Sequence, residues 1–100
     1  MTIRLEDTVR VNPRCLLTEL GDGTGVVLDL DTKFYFTLNA TGVIVWKELV
    51  SRPAGTTAQE LATKLEELFD VARDDAARDV LDILETMARE GLLQPPPATP

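Results

Sequence analysis

The sequence predicts an α+β domain in which a three-stranded antiparallel sheet is followed by three helices. Three observations predict it. Short runs rich in β-branched and aromatic residues, separated by turn signals, occupy Thr8 to Leu38. From Asn39 onward the apolar spacing changes to the helical period. A chain of 100 residues makes one domain, and a chain of this size buries roughly 60–70% of its unfolded surface.

The first strand is Cys15-Leu16-Leu17-Thr18, preceded by Pro13, where a missing N–H costs little. Gly21-Asp22-Gly23 and Gly25 mark the turn after it. Val26 to Leu30 forms the second strand, Asp31-Thr32 turns the chain, and Lys33-Phe34-Tyr35-Phe36-Thr37-Leu38 forms the third. Asn39 or Thr41 caps a first helix whose apolar positions are Val43, Ile44, Trp46, Leu49 and Val50. Arg52-Pro53-Ala54-Gly55 stops it. Thr57-Ala58-Gln59-Glu60 is a capping box, and Leu61, Leu65 and Leu68 mark one face of the second helix. Asp74 or Asp75 opens a third helix that ends at Gly91, with Leu92 and Leu93 packing back. Residues 1–93 form the domain, and the Pro-rich segment 94–100 is expected to be a flexible tail.

Hydrophobic residues at 44% and charged residues at 27% fit a folded domain. The longest apolar stretch, Val43 to Trp46, is far too short to span a membrane. Ten basic against seventeen acidic residues give a net charge of −7, which opposes binding to phosphate backbones or anionic membranes. The sequence has one cysteine, Cys15, and no histidine, which excludes internal disulfides, zinc fingers and His-based catalysis. Cys15 lies in a leucine-rich strand and reads as an inert core thiol. Gly21 to Gly25 lacks the Lys-Ser/Thr and following helix of a phosphate loop.

The third helix has a wide apolar arc. Ala77, Leu81, Leu84 and Ala88 form one row, and Ala76, Val80, Ile83 and Met87 form a second, together spanning roughly 160°. Asp75, Asp79 and Asp82 border the second row. The simpler reading buries both rows, and periodicity alone favours it. The second reading packs one row into the core and uses the other to wall an apolar groove with an acidic rim. Such a groove fits an amphipathic peptide carrying a basic residue.

The third strand is an edge of the meander, and Lys33 to Leu38 contains no proline. Either a helix or the N-terminal segment Thr2 to Leu5 covers it, or it stays open for an added strand.

Leu38-Asn39-Ala40-Thr41-Gly42-Val43-Ile44-Val45-Trp46 resembles the LN-x-TG-x-x-IW signature of the PqqD family. Asp31-Thr32 and Tyr35-Phe36 precede it, an acidic leucine helix around Leu61 follows, and Val80, Leu84, Met87, Gly91 and Leu92 match the terminal pattern. The resemblance covers roughly residues 8–93. Lys33 stands where the family often has glycine, and Val45 where it often has isoleucine.

The resemblance implies a winged-helix-turn-helix-like domain that recognises the leader of a ribosomally made, modified precursor peptide. The leader is expected to add to the third strand beside the third helix. The expected contacts are Lys33, Phe34, Tyr35, Phe36, Thr37 and Leu38 on the strand, and Ala76, Val80, Ile83 and Met87 on the helix. Asp75, Asp79 and Asp82 are expected at the rim. The short chain looks like a free-standing cytoplasmic member, monomeric, without cofactor or metal. It is expected to deliver its guest without transforming it. Lasso-type partners would be a leader peptidase and an ATP-dependent cyclase, whereas a pyrroloquinoline-quinone pathway would supply a radical-SAM enzyme.

Two other readings remain. A winged-helix shape raises DNA binding, but Asp74 to Glu90 carries six acidic and two basic residues, so phosphates would repel it. The other is a protein–protein adaptor without any leader, perhaps dimeric through the third strand.

Overall fold

The computed structural model describes residues 3–94. The strands are β1 (Thr8–Val9), β2 (Cys15–Glu19), β3 (Gly25–Asp29), β4 (Tyr35–Leu38) and β5 (Thr56–Thr57). The helices are α1 (Ala40–Val50), α2 (Ala58–Phe69) and α3 (Arg73–Arg89). The expected antiparallel meander is present in the order β2-β3-β4, and three helices follow it. A second, two-stranded ribbon pairs β1 with β5. Two-residue strands have no period to read, so no sequence pattern announces this ribbon.

The third strand is shorter than predicted, because Lys33 and Phe34 belong to the β3–β4 turn. Asp29 organises that turn. Its buried carboxylate accepts the amides of Asp31 (2.8 Å) and Thr32 (3.3 Å), while Lys33 N–H donates to Asp29 O (2.8 Å). Lys33 has φ of 67°, in the left-handed region that favours glycine. The lysine thus holds a backbone conformation that glycine adopts without steric cost.

The helix ends are set by local hydrogen bonds. Asn39 caps α1, its Oδ1 accepting the Gly42 amide at 2.8 Å. Thr57 caps α2, its Oγ1 accepting the Glu60 amide at 3.1 Å. The Glu60 carboxylate accepts from the hydroxyls of Thr56 and Thr57 and pairs with Arg52 at 2.7 Å. α3 begins at Arg73 with no side-chain cap, one residue before the expected aspartates, which lie in its first turn and favour the helix dipole there. At its other end Gly91, with φ of 78°, sends its N–H to Ala88 O (3.2 Å), and Leu92 N–H returns to Met87 O (2.9 Å). This paired closure folds Leu92 and Leu93 back into the core.

The core lies between the sheet's inner face and the three helices, around Trp46, Leu49, Leu84, Met87 and Val27. Two predicted face positions point outward instead: Val50 and Leu68, each in the last turn of its helix, are exposed. Ile3 is buried, and Ile3 N–H donates to Glu85 Oε2 at 3.3 Å, so the N-terminal segment packs against α3. Gln94 is hydrogen-bonded to Arg10 O (2.8 Å) and Val11 O (3.1 Å). The rest of the expected Pro-rich tail falls outside the described residues. Among the described residues no helix is long and apolar enough to cross a membrane, and no acidic or cysteine cluster is arranged for a metal.

Candidate functional site

Among the described residues β4 pairs with β3 alone, in the register Leu28–Tyr35, Val27–Phe36, Val26–Thr37 and Gly25–Leu38. Asp29 N–H donates to Phe34 O at 2.9 Å, which makes Asp29–Phe34 a hydrogen-bonded pair. Antiparallel pairs alternate, so Phe36 and Leu38 turn their backbone groups toward β3. The N–H and C=O of Tyr35 and Thr37 therefore face outward, and no described backbone group bonds to them. The edge is open.

Side chains alternate in the opposite sense to solvent. Phe36 and Leu38 are half-buried on the inner face, while Tyr35 and Thr37 are exposed on the outer face. Beside the inner face runs a cleft of about 420 Å³. One wall is Phe36, Thr37, Leu38 and Asn39, with Gly42 behind them. A Cβ at Gly42 would sit 3.3 Å from both Leu38 Cβ and Asn39 Oδ1, so glycine allows α1 to start this close to the strand. The facing wall is α3, through Asp82, Ile83, Thr86 and Met87, with Glu90 at its C-cap, and Leu92 closes it after the Gly91 turn.

α3 divides its surface differently from the two predicted rows. Ala76, Val80, Leu84 and Met87 make the buried seam, so each predicted row contributes to the core. Ala76 and Val80 are both 0% exposed and do not line the cleft, because the helix axis turns them onto the other core elements. Ile83 and Met87 do line it. Asp82 is at the cleft as expected, but Asp75 and Asp79 are not; they lie nearer the helix N-terminus, where Asp75 pairs with Arg78 at 3.6 Å. Phe34 is 68% exposed in the turn and lies outside the cleft lining, as does Lys33.

Asn39, Gly42, Thr86, Glu90 and Leu92 line the cleft without having been singled out as contacts. The spacing Asp82-Thr86-Glu90, one residue before each turn's Ile83 and Met87, is the sequence sign of that second stripe. Asp82 and Glu90 make no ion pair with a described residue, so the cleft carries negative charge at two points about 12 Å apart along the helix. The Thr86 hydroxyl donates to Asp82 O at 3.0 Å and stays on the helix. Cys15 is buried away from this site, and burial pushes its thiol pKa up, with the charges of Asp29 and Asp31 adding to the effect. That is the opposite of an activated nucleophile. Among the described residues, an unpaired strand edge thus lies beside an apolar cleft.

Residues 24–93 match the family model described as coenzyme PQQ synthesis protein D, PqqD. The chain belongs to the PqqD family. No curated protein matches it. Three solved structures do. One is TbiB1 in complex with the TbiA(beta) leader peptide, 26% identical, covering 85% of this chain and 94% of that one, with a TM-score of 0.74. Another is a lasso peptide synthetase B1 complexed with the leader peptide, 24% identical over 87% of this chain and 98% of that one, TM-score 0.72. The third is the PqqD truncation of PqqCD from Methylobacterium extorquens, described as a functional, stand-alone RiPP recognition element. It is 20% identical, covers 93% of this chain and 95% of that one, and has a TM-score of 0.74. The fold shared with these structures thus takes in the three-stranded sheet and the three helices described above.

Proposed function

We propose that this PqqD-family chain binds the leader segment of a ribosomally made precursor peptide and delivers it to modifying enzymes without catalysing a step itself. The observation that carries the reading is the outward-facing backbone of Tyr35 and Thr37 beside the cleft walled by Ile83 and Met87. A leader would add as a strand to β4. Its main chain would bond Tyr35 and Thr37, and its inward side chains would fill the space over Phe36 and Leu38. Asp82 and Glu90 favour a basic residue in or beside that segment.

Lasso-type chemistry is the preferred setting, because a lasso peptide synthetase B1 complexed with the leader peptide shares this fold over 87% of the chain. The enzymes served would then be a leader peptidase and an ATP-dependent cyclase, working with a monomeric binding protein in the cytoplasm. The PqqD family match supports a second setting, a quinone-cofactor precursor with a radical-SAM enzyme. The genes beside this one distinguish the two.

The test is titration of the ¹⁵N-labelled protein with a synthetic leader from the neighbouring precursor gene. One-to-one binding should occur in the micromolar-to-nanomolar range. The amides of Tyr35 and Thr37 should shift and become protected from exchange. Binding that leaves both amides solvent-exchanging would sink the strand-addition mechanism.

A further inference from the structure

The outer face of the sheet carries a row that the cleft does not use. Leu16 pairs with Leu28, and Leu28 pairs with Tyr35, so the three side chains stand side by side across β2, β3 and β4. All three are exposed, Tyr35 at 70%. The next row, Thr18–Val26–Thr37, is mostly polar. The apolar row thus crosses the whole sheet and stops at the open edge.

Its last member is also a residue whose N–H and C=O face outward. A strand added antiparallel to β4 pairs one residue with Tyr35 through those groups, at a Cα separation of about 5.5 Å. That residue's side chain necessarily stands on the outer face, against the Tyr35 ring, as the fourth member of the row. Its two neighbours in the guest point to the opposite face, into the cleft.

We infer that Tyr35, backed by Leu28 and Leu16, is a specificity determinant for an aliphatic or aromatic guest residue on the outward face. This rests on the strand-addition reading and adds to it. The recognised segment is then apolar at adjacent positions, one outward beside Tyr35 and its neighbours inward over Phe36, rather than strictly amphipathic. The outward position beside Thr37 is tolerant of polar residues.

The test uses two synthetic peptides with lysine at both ends. In one, leucine alternates with threonine over nine residues; in the other, the central threonine is phenylalanine. Binding is followed by amide shifts of β4. The phenylalanine peptide should bind about threefold to fivefold tighter, as for an added cross-strand aromatic pair. In Tyr35→Thr, which keeps a good strand former at an exposed position, the ratio should fall to about one. Equal affinities for the parent protein, or a preference that survives Tyr35→Thr, would overturn the inference and leave strand addition standing. Failure of both peptides to perturb β4 would remove strand addition and this inference together. Concentration-dependent self-association that Tyr35→Thr abolishes would assign the row to a second copy of the chain and overturn it as well.

Discussion

Ile3 N–H donates to Glu85 Oε2 at 3.3 Å, and this bond ties the N-terminal segment to the flank of α3. The chain then passes through β1, which pairs with β5, and reaches the meander without crossing β4. From Ile3 onward, the N-terminal segment is thus engaged away from the β4 edge. Ile3 therefore matters for stability and not for guest binding. Ile3→Ala should lower unfolding free energy by about 2–5 kcal/mol, the range for truncating a buried isoleucine to alanine. Urea denaturation followed by the buried Trp46 measures it, and leader affinity should stay within about twofold. A large loss of affinity without a loss of stability would contradict the packing seen here.

Val80 and Ile83 are three residues apart on α3 but differ in kind. Val80 is fully buried, whereas Ile83 is half-buried at the cleft. Val80→Asp should unfold the domain, since an unpaired buried carboxylate costs several kcal/mol. Ile83→Asp should cost about 1 kcal/mol of stability and weaken leader binding by about tenfold or more. Circular dichroism and calorimetric titration separate the two effects. A folded Val80→Asp protein would refute the assignment of the core seam.

Proline substitutions read the direction of each backbone group on β4. Thr37 N–H points outward, so Thr37→Pro removes a donor that only a guest would use. The protein should stay folded while leader affinity drops about fivefold to tenfold. Phe36→Pro removes a ladder donor to β3 and a cleft side chain together, and should disrupt the hairpin. If Thr37→Pro unfolds the domain and Phe36→Pro does not, the assigned phase of the ladder is reversed.

Lys33 holds a left-handed conformation, with φ of 67°, in the turn that launches β4. Steric conflict of Cβ with the backbone disfavours this for any residue but glycine. Lys33→Gly relieves it, and the greater freedom of glycine in the unfolded chain offsets part of the gain. A net stabilisation of about 0.5–1 kcal/mol should appear as a raised urea midpoint. A destabilised variant would mean that the lysine side chain holds the turn.

The Cys15 thiol has a pKa raised by burial, with Asp29 and Asp31 adding to it. The folded protein therefore holds this proton more tightly than the unfolded chain, in which a thiol titrates near about 8.5. The stabilisation is complete below that pH and is lost as pH rises through the folded pKa. As pH rises above about 8.5 the parent should lose more stability than Cys15→Ala. Parallel declines of the two proteins would show that the thiol contributes nothing.

Local chemistry was legible from the chain alone. Asn39 or Thr41, the Thr57–Glu60 pair and Gly91 mark helix ends, and the short β-branched and aromatic runs between turn signals from Cys15 to Leu38 mark the meander, because each depends on neighbours within a few residues. The motif around Leu38 to Trp46 carried the family. What lay beyond reach were relationships between distant segments. β1 and β5 find each other across 47 residues with two residues apiece, too few to leave a period. Two equivalent rows on α3 became one seam, Ala76-Val80-Leu84-Met87, with Ile83 left at the cleft, because the angle at which the helix meets the core selects the buried stripe. The free edge of β4 was decided the same way. Its availability depends on where the N-terminal segment docks, and only packing of Ile3 against α3 settles that.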